Sequence, residues 1–177
     1  MAISSTSAAP RRRNKMRTKV GFGYDIHRLK EGEGNFLLAG QAIDANYAIV
    51  AHSDGDIVFH SLSDAILSAL GLDDIGSYFP DDQESTCGMD SKEILSFALK
   101  KLEEASYRMN NAAIDIVLQS VKLKNYRASI KENLCQILSL PKEDVSVHFH
   151  TKEGLDSVGN NQGIEVYTAV TITELGR

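Results

Sequence analysis

Residues 51–70, AHSDGDIVFHSLSDAILSAL, predict a helix that follows a short polar loop. Apolar side chains recur at helical spacing along this stretch and form one apolar face: Val58, Leu62, Ala65, Ile66 and Ala69. Asp54 or Asp56 can cap the start of the helix and Gly71 ends it. We therefore expect a helix from residue 56 to residue 70.

On either side of this helix, strands and helices mix without a repeating order. The hydrophobic pattern predicts strands at 18–27, 35–39, 47–51, 111–123, 145–151 and 164–175. It predicts further helices at 91–106 and 126–139, with loops at 71–82 and 156–163. This order is typical of an α+β fold: a single compact domain with one mixed β-sheet and helices packed on one face.

The composition narrows the class of protein. The chain has 177 residues, of which 42% are hydrophobic, and a net charge of −5. No apolar run approaches the ~20 residues that cross a bilayer, and an acidic chain is a poor partner for nucleic acid. We therefore expect neither a membrane nor a nucleic acid as partner. Cys87 and Cys135 lack C-x-x-C spacing and are expected to be reduced thiols.

The first residues differ from the rest of the chain. Residues 1–16 contain no acidic residue, are rich in Ser and Ala, and include consecutive arginines. A disordered leader, the remnant of an organelle transit peptide and a remnant of cloning all remain open as interpretations. We place the folded domain at residues 17–177.

Two polar clusters suggest a metal site. In GYDIHRLK, residues 23–30, Asp25 and His27 lie two apart in a predicted strand, so both side chains point the same way. On the predicted helix, His60 shares a non-apolar face with Asp56 and Asp64, which could orient it. Asp25, His27 and His60 together would make a three-ligand site of the catalytic zinc type. The alternative interpretation, ordinary polar residues at strand and helix ends, remains open at this point.

Three motifs in this order closely resemble the 2-C-methyl-D-erythritol 2,4-cyclodiphosphate synthase family. They are GFGYDIHRL, AHSDGDIVFHSLSDAILSALGLDDIGSYFPD and TKEGLDSVGNNQGIEV. The resemblance covers residues 18–175. It implies a compact α+β domain, a homotrimer with active sites between neighbouring subunits, and a place in non-mevalonate isoprenoid biosynthesis. The setting would be the bacterial cytoplasm or, because DSVGN resembles plastid-type members, a plastid-type organelle.

The resemblance also implies a reaction and its metals. The substrate would be 4-diphosphocytidyl-2-C-methyl-D-erythritol 2-phosphate, whose 2-phosphate attacks the β-phosphorus so that CMP leaves and 2-C-methyl-D-erythritol 2,4-cyclodiphosphate forms. The zinc ligands fall on Asp25, His27 and His60. Glu153 matches the ligand of a Mg²⁺ or Mn²⁺ ion that bridges the substrate diphosphate. His52 and Thr151 match catalytic residues that stabilise the transition state.

The remaining implied contacts are with the substrate. Ser53 would hold a phosphate, residues 74–76 would bind methylerythritol, and a segment at 118–124 would form the cytidine pocket. The full set of implied substrate contacts is Asp25, His27, His52, Ser53, Asp74, Ile75, Gly76, Phe79, Asp81, Asp82, Gln83, Leu118, Lys122, His150, Thr151, Lys152 and Glu153. The chain departs from the usual family pattern at Gln83, Val121, Asn125, Ser157 and Asn160.

Other interpretations compete with the leading one. A zinc phosphohydrolase would need a general base, for which Asp56 is the candidate. A nucleotide- or isoprenoid-binding regulator would need no turnover. His148 and His150 share a strand face near Glu153 and could mimic a second zinc site. For these histidines the resemblance favours a polar strand face near the subunit junction.

Overall fold

The computed structural model describes residues 16–51, 53–80 and 88–176 of the chain. Within these residues the strands are β1 (Thr18–Leu38), β2 (Gln41–Val50), β3 (Tyr107–Val117), β4 (Val145–His150) and β5 (Gly163–Glu174). The helices are α1 (Ile57–Leu70), α2 (Ile75–Tyr78), α3 (Ser91–Glu104), α4 (Arg127–Leu138) and α5 (Asp156–Gly159). Short 3₁₀ turns cover Leu123–Tyr126 and Lys142–Asp144.

The strands form one five-stranded sheet in the order β2-β1-β5-β3-β4. Only the pair β3 and β4 is parallel among the described strands, and α4 lies in the connection between them. A parallel pair needs such a crossover, whereas antiparallel neighbours do not. The predicted α+β domain with a mixed sheet is confirmed.

Strand β1 is much longer than predicted. The two expected strands at 18–27 and 35–39 are one continuous strand, so the expected break between them is wrong. Its first half pairs with β5 as far as Arg28, and its second half pairs with β2, with an irregularity between Glu31 and Gly34. The polar residues at 28–34 show no strand periodicity in the sequence. They continue the strand because pairing with β2 gives their backbone hydrogen-bond partners.

Other elements also differ from the prediction, and β2 begins at Gln41 rather than at residue 47. Strand β3 ends at Val117 rather than at residue 123, and the Leu118 amide that follows it donates to the His150 carbonyl at 3.0 Å. Short helices α2 and α5 lie within the stretches that were expected to be loops. Single helical turns of this kind carry too few residues to show a period in the sequence.

Helix α1 lies directly against the sheet at two glycines. A Cβ atom at Gly21 would be 1.9 Å from the Ala65 carbonyl oxygen, and one at Gly23 would be 1.9 Å from the Ser61 carbonyl oxygen. Any larger residue would therefore push the helix away. The residues of the predicted apolar face are all buried, and so is most of the rest of the helix, including His60.

Asp56 fixes the start of α1, as predicted for one of two candidate caps. Its Oδ1 accepts from the amides of Phe59 (3.3 Å) and Ala39 (2.9 Å), and its Oδ2 accepts from the Gly40 amide (2.6 Å). Full burial raises the pKa of Asp56 to about 6, although these amide hydrogen bonds act in the opposite direction. The carboxylate thus joins the helix start to the turn between β1 and β2.

The opposite face of the sheet carries exposed apolar side chains. Val20, Phe22, Tyr24 and Ile26 alternate along β1 with 40–70% of each residue exposed. Gly21 and Gly23, which face α1, lie between them. The helices therefore cover one face of the sheet, as predicted, and we call the other the open face. Among the described residues, no helix has the length and apolar character needed to cross a membrane.

Candidate active site

Three side chains meet where β1 passes the second turn of α1. Strand β1 directs Asp25 and His27 toward the helix side of the sheet, and α1 supplies His60. The Asp25 Oδ2 atom lies 3.1 Å from His27 Nε2 and 3.1 Å from His60 Nδ1. The two imidazole rings meet edge to face with centroids 5.2 Å apart. We call Asp25, His27 and His60 the inner group.

The inner group has the donor atoms and spacing of a metal site. Its three ligand atoms all lie within 4.8 Å of one another. Tetrahedral zinc holds such atoms at about 2.0–2.2 Å, which would separate neighbouring ligands by roughly 3.3 Å. In addition, the His27 Nδ1 atom is buried and has no hydrogen-bond partner, so the ring is not held as an ordinary core histidine. The residues therefore fit a bound divalent metal ion.

Electrostatics within the inner group favour an ionised carboxylate. Partial burial of Asp25 opposes ionisation, but the hydrogen bonds from His27 and His60 outweigh it and hold the pKa of Asp25 well below its usual range. Two imidazole nitrogens that face one carboxylate oxygen need protons or a cation between them. A cation bound between the Asp25 oxygen and the two imidazole nitrogens would therefore be stabilised.

The other nitrogen of His60 contacts two serines. His60 Nε2 lies 2.9 Å from the Ser91 Oγ and 3.2 Å from the Ser53 Oγ. The Ser91 hydroxyl donates to Asp54 Oδ1, so its lone pair remains free to accept from a protonated Nε2. A proton on Nε2 leaves the Nδ1 lone pair directed at the metal position. This contact is of the kind that fixes the tautomer of a metal-ligating histidine.

Sequence reasoning missed Ser91 and assigned the wrong neighbours to His60. The carboxylates expected to orient His60 have other partners: Asp56 caps α1, and Asp64 Oδ1 accepts from the Ile75 amide at 2.8 Å. Ser91 starts a different helix, far along the chain from His60. From the sequence, Ser91 is recognisable as the residue that follows the helix cap Asp90. This position does not predict a contact with α1.

A cavity of about 320 Å³ opens above the inner group. The walls include several predicted substrate contacts, namely Ser53, Ile75, Gly76 and Phe79, together with Asp64, Met89 and Ile94. The Asp64 hydrogen bond to Ile75 holds α2 against this opening. Asp74 instead caps α2 by accepting from the Ser77 amide at 2.9 Å, and it lines a neighbouring depression rather than the cavity.

The other predicted contacts lie elsewhere on the sheet. Leu118, Lys122, His150, Thr151, Lys152 and Glu153 are not among the residues that line the cavity. Across the sheet, Asp25 pairs with Val166, Val166 with Ile116, and Ile116 with Phe149. Three strand spacings therefore separate the inner group from the β4 end, roughly 14 Å. One chain thus carries the predicted residues in two separate clusters.

The loop that follows β4 has its own internal contacts. The Thr151 hydroxyl donates to Glu153 Oε1 at 2.6 Å, and Glu153 has a left-handed backbone with φ 53°. Lys152 Nζ lies 2.8 Å from Glu165 Oε2, and this hydrogen bond raises the pKa of the ammonium. Lys152 is therefore occupied by an ion pair with Glu165, while Thr151 and Glu153 face solvent.

Four predicted site residues fall outside the described part of the chain: His52, Asp81, Asp82 and Gln83. Their roles stay predictions. Asp56 is described, and its candidate role as the general base of a hydrolase is wrong. It is fully buried, both of its oxygens accept backbone amide hydrogens, and it is not part of the cavity lining.

Comparison with known proteins identifies the family of this chain. The YgbB family model matches residues 18–173. The 2-C-methyl-D-erythritol 2,4-cyclodiphosphate synthase of Carboxydothermus hydrogenoformans is 37% identical over 160 residues, which are 90% of this chain and 98% of that protein. The chloroplastic synthase of the same name from Oryza sativa subsp. japonica is 38% identical over 154 residues, 87% of this chain and 69% of that protein.

The fold agrees with a solved structure as well. The IspF protein of Plasmodium falciparum, in its complex with CDP, superposes with a TM-score of 0.79 at 32% identity, covering 90% of this chain and 97% of that one. The sequence match and the fold match each cover about nine tenths of this chain. This chain belongs to the YgbB family, and the two curated relatives described above are named 2-C-methyl-D-erythritol 2,4-cyclodiphosphate synthases.

Proposed function

We propose that this chain converts 4-diphosphocytidyl-2-C-methyl-D-erythritol 2-phosphate into 2-C-methyl-D-erythritol 2,4-cyclodiphosphate and CMP, as a phosphorus–oxygen lyase of non-mevalonate isoprenoid biosynthesis. The observation that carries the proposal is the inner group at the base of a cavity, in a chain whose relatives bear the name of that synthase. A bond forms between an oxygen of the 2-phosphate and the β-phosphorus. The bond from that phosphorus to the oxygen of the departing CMP breaks.

The inner group would hold Zn²⁺ through Asp25 Oδ2, His27 Nε2 and His60 Nδ1. When bound, the ion supplies Lewis-acid charge to a phosphate oxygen at its open coordination position. Ser91 fixes the tautomer of His60, and the ionised Asp25 balances the positive charge. The protein has little covalent chemistry to perform, because cyclisation mainly requires that the two phosphates of one substrate meet in line.

The cavity walls would position the rest of the substrate. Ser53 is close enough to the inner group to donate to a phosphate oxygen, since its hydroxyl lies 3.2 Å from His60 Nε2. Ile75 and Gly76 line the opening at the start of α2 and would contact the methylerythritol, with Phe79 beside them. Asp74 would bind the sugar-like hydroxyls through the carboxylate oxygen that does not cap α2. The proposal also includes four substrate contacts outside the described residues, namely His52, Asp81, Asp82 and Gln83.

A homotrimer would bring the two clusters of one chain into complete sites. The inner group lies roughly 14 Å across the sheet from the β4 end, and the open face presents exposed apolar residues of β1. A neighbouring subunit packed against that face can supply the second cluster. In this arrangement Leu118, Lys122, His150 and Lys152 would contact the cytidine end, and Thr151 would act on the diphosphate. Glu153 would hold Mg²⁺ or Mn²⁺ between the α- and β-phosphates.

The compartment belongs to the same proposal. Relatives include bacterial proteins and proteins named chloroplastic. We place this chain in the bacterial cytoplasm, with a plastid-type organelle as the alternative, and assign catalysis to residues 17–177.

Phosphorus NMR of the purified chain with the diphosphocytidyl 2-phosphate substrate, Zn²⁺ and Mg²⁺ tests the proposal directly. We expect equal amounts of CMP and a cyclic diphosphate, and no turnover after treatment with a chelator. CMP together with a linear product would show that the chain hydrolyses the substrate and does not cyclise it. A trimeric, zinc-loaded sample without turnover would overturn the proposal in favour of a binding role.

A further inference from the structure

A second group of one carboxylate and two imidazoles lies on the open face of the sheet. Asp115 comes from β3, and His148 and His150 come from β4. Among the described residues, this group and the inner group are the two that bring three such ligands together. The sequence suggested Glu153 as the acidic partner of the two histidines. The structure assigns that position to Asp115 instead, and we call these three residues the outer group.

The backbone explains why the three side chains converge. His148 and His150 lie two apart on β4, so both project from the same face. The parallel register places Asp115 directly opposite His148, and Val117 opposite His150. Asp115 therefore stands beside the pair without any special loop. Two adjacent strands hold all three positions, and β3 is paired on both sides.

The distances resemble those of the inner group. Asp115 Oδ1 lies 3.1 Å from His148 Nδ1 and 3.7 Å from His150 Nε2. The imidazole rings meet edge to face at 6.2 Å between centroids, compared with 5.2 Å in the inner group. In both groups one carboxylate oxygen lies between two imidazole nitrogens, and all ligand atoms fall within 4.8 Å of one another.

We propose that Asp115, His148 and His150 bind a second divalent transition-metal ion of the zinc class. Imidazole nitrogens with a carboxylate oxygen suit Zn²⁺, Ni²⁺ or Co²⁺ better than Mg²⁺, which prefers oxygen ligands alone. In the single chain each side chain is about half exposed, so water can complete the coordination. The site would join the ends of β3 and β4 just before Thr151. It depends on the function proposed above only at His150, whose ring would bind the ion and whose backbone would be left to contact cytidine.

The test counts Zn²⁺ per chain in chelator-treated, tag-free, full-length protein, by equilibrium dialysis and elemental analysis. We expect two ions in the wild type, one in His148→Ala and one in His60→Ala. The double variant should retain none. Ser146→Ala is the matched control, because Ser146 lies two residues earlier on the same face of β4 and is not a ligand. It should bind two ions.

A second readout isolates the outer group. In the His60→Ala background, added Zn²⁺ should raise the melting temperature, because a ligand that binds only the folded state stabilises it. Replacing Asp115 by Asn or His148 by Ala in that background should abolish the rise. An unchanged zinc count in His148→Ala, or a rise that survives both replacements, would overturn the proposal. Neither readout uses turnover, so failure of the cyclase proposal leaves this test intact.

Discussion

The two faces of the sheet carry the same three donor types in different surroundings. The inner group lies on the helix side, with side chains 11–23% exposed, and opens into a cavity of about 320 Å³. The outer group lies on the open face with side chains 46–58% exposed. Similar ligand spacing therefore does not distinguish them. What differs is the hydrogen bonding behind each histidine and the presence of an enclosed space for a substrate.

Burial also changes what each ligand set can do. The ring of His60 is held by contacts with Ser91 and Ser53. Among the described residues, His148 and His150 contact Asp115 and each other, and no serine holds their rings in the same way. A metal ion in low-dielectric surroundings polarises a phosphate more strongly than one in water. We therefore expect chemistry at the inner group and only binding at the outer group.

The largest expected effect comes from removing an inner ligand. His60→Ala should lose the inner metal ion and lower kcat/KM for cyclisation by about 10³-fold or more, since metal polarisation is worth several kcal/mol. The measurement is the rate of CMP release at saturating Zn²⁺ and Mg²⁺. Because His60 is buried, Asp25→Asn serves as a second variant that disturbs packing less. His148→Ala is the control and should keep the wild-type rate. An equal loss of kcat/KM in His60→Ala and His148→Ala would show that the two groups do not differ in their role in catalysis.

The same contrast between buried and exposed surroundings applies to two helix-capping aspartates. Asp56→Ala should lower the free energy of unfolding by about 2–4 kcal/mol, because it removes a buried cap and leaves the buried amide of Ala39 and the amide of Gly40 without their carboxylate partner. Asp90→Ala removes an exposed cap of α3 and should cost about 1 kcal/mol. Urea unfolding of both variants measures the difference, and similar costs would show that burial of Asp56 is unimportant.

Ser91→Ala tests the hydrogen bonding behind His60. We expect the affinity of the inner group for Zn²⁺ to fall by about 10–100-fold, as is typical when an outer contact to a ligating histidine is lost. Competition with a chelator measures the affinity. Ser63→Ala is the matched control, because Ser63 is equally buried and its hydroxyl donates to the Phe59 carbonyl of its own helix rather than contacting the inner group. A loss in both variants would point to general loosening of α1 and α3.

The sequence was informative where the chemistry is local. Asp25 and His27 share a face because strand side chains alternate, and the cap at Asp56 follows from helix-end chemistry. Contacts between distant segments could not be predicted in this way. Ser91 reaches His60, and Asp115 reaches His148, only because tertiary packing and strand register bring them together. The two clusters of predicted substrate contacts were likewise indistinguishable until the strand order separated them.

The smallest expected effect concerns Glu153, which belongs to neither group. Glu153→Gln keeps a side-chain oxygen that can accept from Thr151 but removes the negative charge that would hold Mg²⁺. The Mg²⁺ concentration for half-maximal turnover should therefore rise roughly tenfold, which corresponds to about 1.4 kcal/mol. The zinc count should not change, because Glu153 belongs to neither ligand set. A lost zinc ion would assign Glu153 to a zinc site, whereas an unchanged Mg²⁺ titration would leave this loop without a metal role.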